Sequence, residues 1–154
     1  MPAFISVGRF LFAILFIVSG AMHLFDLAGT TEAIAGKVTM PVEFADYITQ
    51  LQGMSGMPMA KMLAIGAGVL ELLGGLMIAL NFGARFFAVL LILFVIAATF
   101  YFHDFWNQTW PDAKANLIQA LKNLSLIGGL LMIVGAGRAP HAEVAYPEPA
   151  ASTY

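Results

Sequence analysis

The chain has no cysteine, few charges and no concentration of charge of either sign. Without cysteine it cannot itself form a disulfide, exchange thiols, ligate an iron–sulfur cluster or build a thiolate zinc site. Redox chemistry here would need a borrowed cofactor. Charged residues make up only 10% of its 154 residues, against about 25% in an average globular domain. The seven Lys and Arg residues are scattered and the formal net charge is −2, so no basic patch exists to track a phosphate backbone and nucleic acid is not an expected partner.

Apolar side chains take the place of the missing charge. They are 60% of the chain, and the mean hydropathy is +0.86. Four apolar runs stand out, from about Phe4 to Phe25, Met59 to Leu80, Ala84 to Phe102 and Asp112 to Val134. Each is long enough for a helix of about 20 residues to cross a bilayer. The expected fold is therefore all-α, an antiparallel integral membrane four-helix bundle occupying residues 1–137, with the lipid bilayer as its first partner. A homo-oligomer is compatible with it. The segment RAPHAEVAYPEPAASTY, residues 138–154, is rich in Pro and Ala and reads as a disordered tail.

The N-terminus superficially fits a signal peptide, with Arg9, an apolar run and Ser19-Gly20-Ala21. The apolar run continues past those small residues, and cleavage would leave an odd number of spans, so the segment reads as a first span. Between the first two spans lies a polar stretch, Asp26 to Pro58. Within it Val42 to Leu51 places Phe44, Tyr47, Ile48 and Leu51 at helical spacing, which suggests an interfacial helix over the bundle mouth. Asn81 to Arg85 is short enough to demand a tight helical hairpin.

Polar residues inside the spans are the informative ones. A carboxylate in hydrocarbon costs roughly 2.5 to 3.5 kcal/mol on insertion scales, so Glu71 in the second span calls for a partner or a task. It lies about twelve residues into its span, roughly 18 Å deep, while Lys122 and Asn123 lie roughly 15 Å into the fourth. His23 ends the first span and His103 with Asp104 ends the third. Antiparallel spans put all of these toward the membrane face that carries the long first loop.

Helical phase lets these groups converge. Asn116, Gln119, Lys122 and Asn123 fall within roughly 120° of arc on the fourth span, a polar stripe that belongs inside a bundle. Ala64, Ala67, Gly68, Glu71, Gly74 and Gly75 share the small-residue face of the second, the face that packs most closely against other helices. Ser19 with His23, and Thr99 with His103, repeat a four-residue spacing on the other two spans. Arg9, on the opposite side, is expected to snorkel to the headgroups.

Two readings of this constellation compete. In one, Glu71 and Lys122 form a buried structural ion pair, each stabilising the other. In the other, His23, Glu71, His103, Lys122 and Asn123, supported by Ser19, Thr99, Asn116 and Gln119, bind a polar headgroup or move protons, because two histidines titrate near neutral pH. No activated nucleophile, phosphate loop or closed metal-ligand set is visible, so no catalytic residue is assigned and no metal is expected. The alternative is copper handling by Met54, Met57, Met59 and Met62, whose thioethers suit Cu(I). Methionines are equally flexible fillers at membrane interfaces. A structural role in a larger membrane complex is a further alternative.

The ordered residues resemble the DoxX family of small bacterial membrane proteins over roughly Val7 to Val134. The resemblance rests on Arg9, Ser19-Gly20 and His23, then Glu71-Leu-Leu-Gly74-Gly75 and Gly83, then His103, and finally Asn116, Leu121-Lys122-Asn123-Leu124 and Gly128-Gly129. It implies a four-helix fold in the bacterial inner membrane, partners among membrane or redox proteins, and quinone as a ligand, since relatives occur with thiosulfate-oxidising and antioxidant machinery. Fold alone does not transfer function. Arg9, Arg85 and Arg138 fall on the side of the termini, and Lys37, one of the three lysines opposite, lies far out in its loop. The positive-inside bias therefore favours both termini in the cytoplasm.

Overall fold

A computed structural model describes residues 2–136; the tail expected at 138–154 lies outside them. Six α-helices are present among the described residues: α1 (Pro2–Phe25), α2 (Leu27–Lys37), α3 (Ala45–Ser55), α4 (Met59–Ala79), α5 (Ala84–Phe102) and α6 (Asp112–Gly135). Four of them, α1, α4, α5 and α6, are long and apolar enough to cross a membrane. In hydrocarbon no water is available to backbone N–H and C=O groups, and a helix satisfies them within itself. At 1.5 Å per residue the 21 residues of α4 span roughly 31 Å, about the thickness of the apolar layer. The molecule is a membrane helical bundle.

Local chemistry sets the ends. α4 stops in a turn where Asn81 has φ 58° and Gly83 has φ 57°. The Phe82 N–H donates to Met77 C=O at 2.9 Å and the Asn81 N–H to Ile78 C=O at 3.2 Å. That pair of bonds is the Schellman C-cap, with Asn81 in the left-handed position usually given to glycine. Gly83 then opens α5, completing the tight hairpin.

The first loop differs from expectation. The Val42 to Leu51 stretch splits into a 3-10 turn at Val42–Phe44 and α3, which buries no residue. The helix that closes the mouth is α2, which the sequence reading passed over. Asp26 caps it by accepting from Gly29 N–H at 3.0 Å, and a Cβ at Gly29 would strike that carboxylate. α2 buries Ile34 and packs against α4. It is tied at one end by Thr30 Oγ1 donating to His23 C=O at 3.3 Å and at the other by Lys37 Nζ, 3.8 Å from Asp104 Oδ1.

The bundle has two unlike halves. Near the α4–α5 hairpin the interior is apolar, built on Ala13, Phe16, Ile78, Ala84, Ala88, Leu91 and Leu130. Toward α2 the interior turns polar. α1 and α4 approach most closely: a Cβ on Gly20 would lie 2.7 Å from Gly68 C=O, and one on Gly75 would lie 3.1 Å from Ala13 C=O. Such backbone contact needs glycine, as at small-residue helix crossings in membranes. α4 in turn packs on α5, where Gly74 faces Leu91, and α6 meets α1 where Gly129 faces the Phe12 ring.

Candidate functional site

Gly68 and Gly75 bracket Glu71 on α4, three residues before it and four after. Because they draw the α1 backbone against α4, even the short Ser19 side chain reaches the carboxylate. Ser19 Oγ donates to Glu71 Oε1 at 3.0 Å, and His23 Nδ1 lies 2.6 Å from Oε2. Glu71 itself is only 4% exposed. Each of its oxygens has a partner from α1, one turn apart on that helix.

This corrects the expected partner. Lys122 is exposed on α6, and the ion pairs among the described residues are His23–Glu71 and Lys37–Asp104. Depth alone does not choose a partner, and the 120° arc was too wide to fix direction. Asn116 and Asn123 occupy its inner edge, whereas Gln119 and Lys122 stay exposed.

The other sequence-predicted residues gather in a second cluster between α5 and α6. Asn123 Nδ2 donates to Thr99 Oγ1 at 2.9 Å, while that hydroxyl donates to Val95 C=O. His103 Nδ1 lies 3.2 Å from Asn116 Oδ1. An amide oxygen only accepts, so the His103 ring carries its proton on Nδ1. Asn116 Nδ2 donates to Gln108 Oε1 at 2.6 Å, and Gln108 Nε2 donates to Asp104 Oδ1 at 2.8 Å. No hydrogen bond among the described residues joins this chain to the Glu71 cluster. Gln108 was missed from sequence because it sits in the α5–α6 connection, where helical phase gives no bearing, and Lys37 because it ends α2, a helix the residues did not announce.

The two clusters differ chemically. With Glu71 ionised, His23 Nδ1–H donates to it; with the carboxyl protonated, it donates to the bare Nδ1. One proton can thus reside on either atom of the pair. The His23 side chain is 38% exposed and opens on a groove of about 540 Å³ along α1, walled by Leu15, Val18 and Met22 and floored by Ser19 and His23. Among the described residues no hydrogen bond reaches His23 Nε2, which leaves it for a ligand. No group of three or more His, Asp or Glu able to hold a metal is found among the described residues. Of the methionines, Met54 ends α3 highly exposed, Met57 lies in the following turn, and Met59 and Met62 start α4.

The DoxX family profile matches residues 4–104, taking in α1 through α5 with the Ser19, His23 and Glu71 positions. The chain belongs to the DoxX family. It is also 26% identical to the inner membrane protein YphA of Escherichia coli (strain K12) over 136 residues, covering 88% of this chain and 84% of that protein. No solved structure matches it. The DoxX match stops before α6, so the Asn116 to Asn123 stripe lies outside the family profile.

Proposed function

We propose that this DoxX protein is a multi-pass component of a bacterial inner-membrane redox system and holds a quinone headgroup at Ser19, His23 and Glu71. One observation carries the reading: a buried carboxylate is engaged by a half-exposed histidine that faces an apolar groove on the lipid side. A quinone carbonyl is an acceptor and would take its hydrogen bond from His23 Nε2–H. The groove walls would hold the isoprenoid tail. Reduction of a quinone to the quinol consumes two electrons and two protons; a partner redox protein would supply the electrons, and the His23–Glu71 pair can hand over one proton and be reloaded from the α2 side. Membership of the family and the inner-membrane relative both support the location.

The test is the lipid content of the protein itself. Quinone extracted after gentle purification should exceed that of an unrelated four-helix protein from the same membrane, and should fall severalfold in Glu71→Gln and in His23→Leu. Equal amounts in protein and control overturn the proposal.

The same reading places both termini in the cytoplasm and the site toward the periplasm. With no native cysteine, Thr39→Cys and Phe82→Cys can be labelled separately with an impermeant maleimide in intact spheroplasts. Labelling of position 39 alone is expected; labelling of position 82 alone reverses the orientation.

A further inference from the structure

The groove along α1 is short of hydrogen-bond donors. Four polar side chains line it, Ser19, His23, Asp26 and Thr30. The Ser19 hydroxyl proton is committed to Glu71 Oε1, and the Thr30 hydroxyl donates to His23 C=O at 3.3 Å. Asp26 accepts the Gly29 N–H, and as a carboxylate it can only accept. Whether the groove can donate to a headgroup therefore depends on His23 Nε2.

Glu71 governs that atom from the other side of the ring. At 2.6 Å the Nδ1–Oε2 contact holds a proton, because two facing lone pairs at that distance repel. With Glu71 ionised and the ring neutral, the ring's single N–H is spent on this contact and Nε2 is left bare, an acceptor. When the pair takes up a second proton, the bridging proton can sit on either atom, yet Nε2 carries N–H in both arrangements. Ser19 donates to Oε1, so a protonated carboxyl keeps its O–H on Oε2, toward the ring.

We infer that Glu71, without touching the ligand, decides through the His23 ring which redox form of a quinone-type headgroup the groove admits. With one proton in the pair the groove takes a hydroxyl, which donates to bare Nε2, whereas a carbonyl finds no donor. With two protons it takes a carbonyl as well. Glu71 is thus a positioning residue for specificity, and its ionised form selects the quinol. This selectivity rests on the quinone reading and goes beyond it by naming what separates the two redox forms.

Linkage fixes the sign of the pH dependence. A carbonyl head binds the state with more protons, so its affinity is full at low pH. It falls as pH rises through the titration of the pair, by up to about tenfold per pH unit for one linked proton. A hydroxyl head can donate or accept, binds both states and keeps its affinity. The elements packed about the pair bring other titratable groups to this end of the bundle: Asp26 after α1, Glu32 and Lys37 on α2, Lys61 on α4, Tyr101 and His103 at the end of α5, and Lys122 on α6. None of them bonds to His23 or Glu71, and of these only Asp26 lines the groove.

The test is calorimetric binding of a short-chain benzoquinone, and of its benzoquinol under anaerobic conditions, to the full chain in mild detergent from about pH 5 to pH 9, a range that brackets histidine. In the unaltered protein quinone affinity should fall by about tenfold or more across that range, and quinol affinity should stay nearly level. In Glu71→Gln the amide can accept from Nδ1–H or donate to a bare Nδ1, so the neutral ring is free to place its proton on Nε2 and the quinone profile should be flat. Asp26→Asn, which keeps a good helix cap, should retain the fall. A flat quinone profile in the unaltered protein, with both ligands bound, overturns the inference and leaves the quinone reading standing. A profile that flattens in Asp26→Asn, or survives unchanged in Glu71→Gln, overturns it too. The unaltered and Asp26→Asn profiles decide the matter even if Glu71→Gln does not fold. Binding of neither ligand removes the quinone reading and this selectivity together.

Discussion

The α1–α4 pair and the α5–α6 pair both carry polar side chains at the same end of the bundle, but only the first buries one, and it is a carboxyl group. Between α1 and α4, glycines let the backbones touch, and Glu71 is gripped by two side chains one helical turn apart. Between α5 and α6 the contacts are made by longer amides and a hydroxyl that relay neutral hydrogen bonds toward Asp104 at the surface. The difference teaches that a buried carboxylate is tolerated where close helix approach fixes short donors on it, and that amides suffice where helices stand farther apart.

The comparison can be broken most severely at His23. His23→Leu leaves Glu71 with Ser19 alone; removal of one member of a fully buried pair destabilises by about 3 to 5 kcal/mol, and the 38% exposure of the His23 side chain lowers the expected loss below that range's top. Joint replacement with Glu71→Leu should recover most of that loss, so a double-mutant cycle on melting temperature in mild detergent should be strongly non-additive. Lys122→Leu in place of His23→Leu should give an additive cycle with Glu71→Leu.

A smaller loss, about 1 to 3 kcal/mol from overpacking, is expected for Gly20→Ala. Its new methyl would press on the Leu72 amide nitrogen and on Gly68 C=O, backbone atoms that cannot swing aside. Gly128→Ala, which meets nothing within 4 Å, serves as the matched control and should not lower the melting temperature. Equal losses at both positions would show that α1 and α4 are not held at glycine distance.

The smallest effect belongs to the amide side of the comparison. Asn123→Leu removes one hydrogen bond to Thr99, and such interhelical bonds average about 0.6 kcal/mol in membrane bundles. A loss as large as that of His23→Leu would place the two clusters on an equal footing and undo the distinction.

Much of this fold was legible in the residues. The four apolar runs match α1, α4, α5 and α6 to within a few residues, because a bilayer imposes a minimum span and the sequence pays for nothing shorter. The small-residue face of α4 was equally readable, since glycine at three- and four-residue spacing around a lone acid has few other uses in a span. α2 was not, because LAGTTEAIAGK mixes glycine and threonine with few large apolar residues, and its start depends on the Asp26 cap. The partner of Glu71 was misread for a different reason. Depth and phase describe one helix at a time, whereas the choice between His23 and Lys122 depends on which helix lies next to α4, and that is decided by the Gly20, Gly68 and Gly75 crossing.

The Ser19–Glu71 hydrogen bond joins residues 52 positions apart, and that separation has a consequence for biogenesis. At synthesis rates of about 5 to 20 residues per second, α1 emerges from the ribosome roughly 3 to 10 seconds before the middle of α4. The neutral-capable serine and histidine are thus made before the acid that needs them. When Glu71 reaches the insertion machinery its receptor already lies in the bilayer, and the carboxylate can pass from aqueous channel to hydrogen-bonded seat without waiting in lipid. A chain with the order of the two helices reversed would have to insert its acid first and hold it alone.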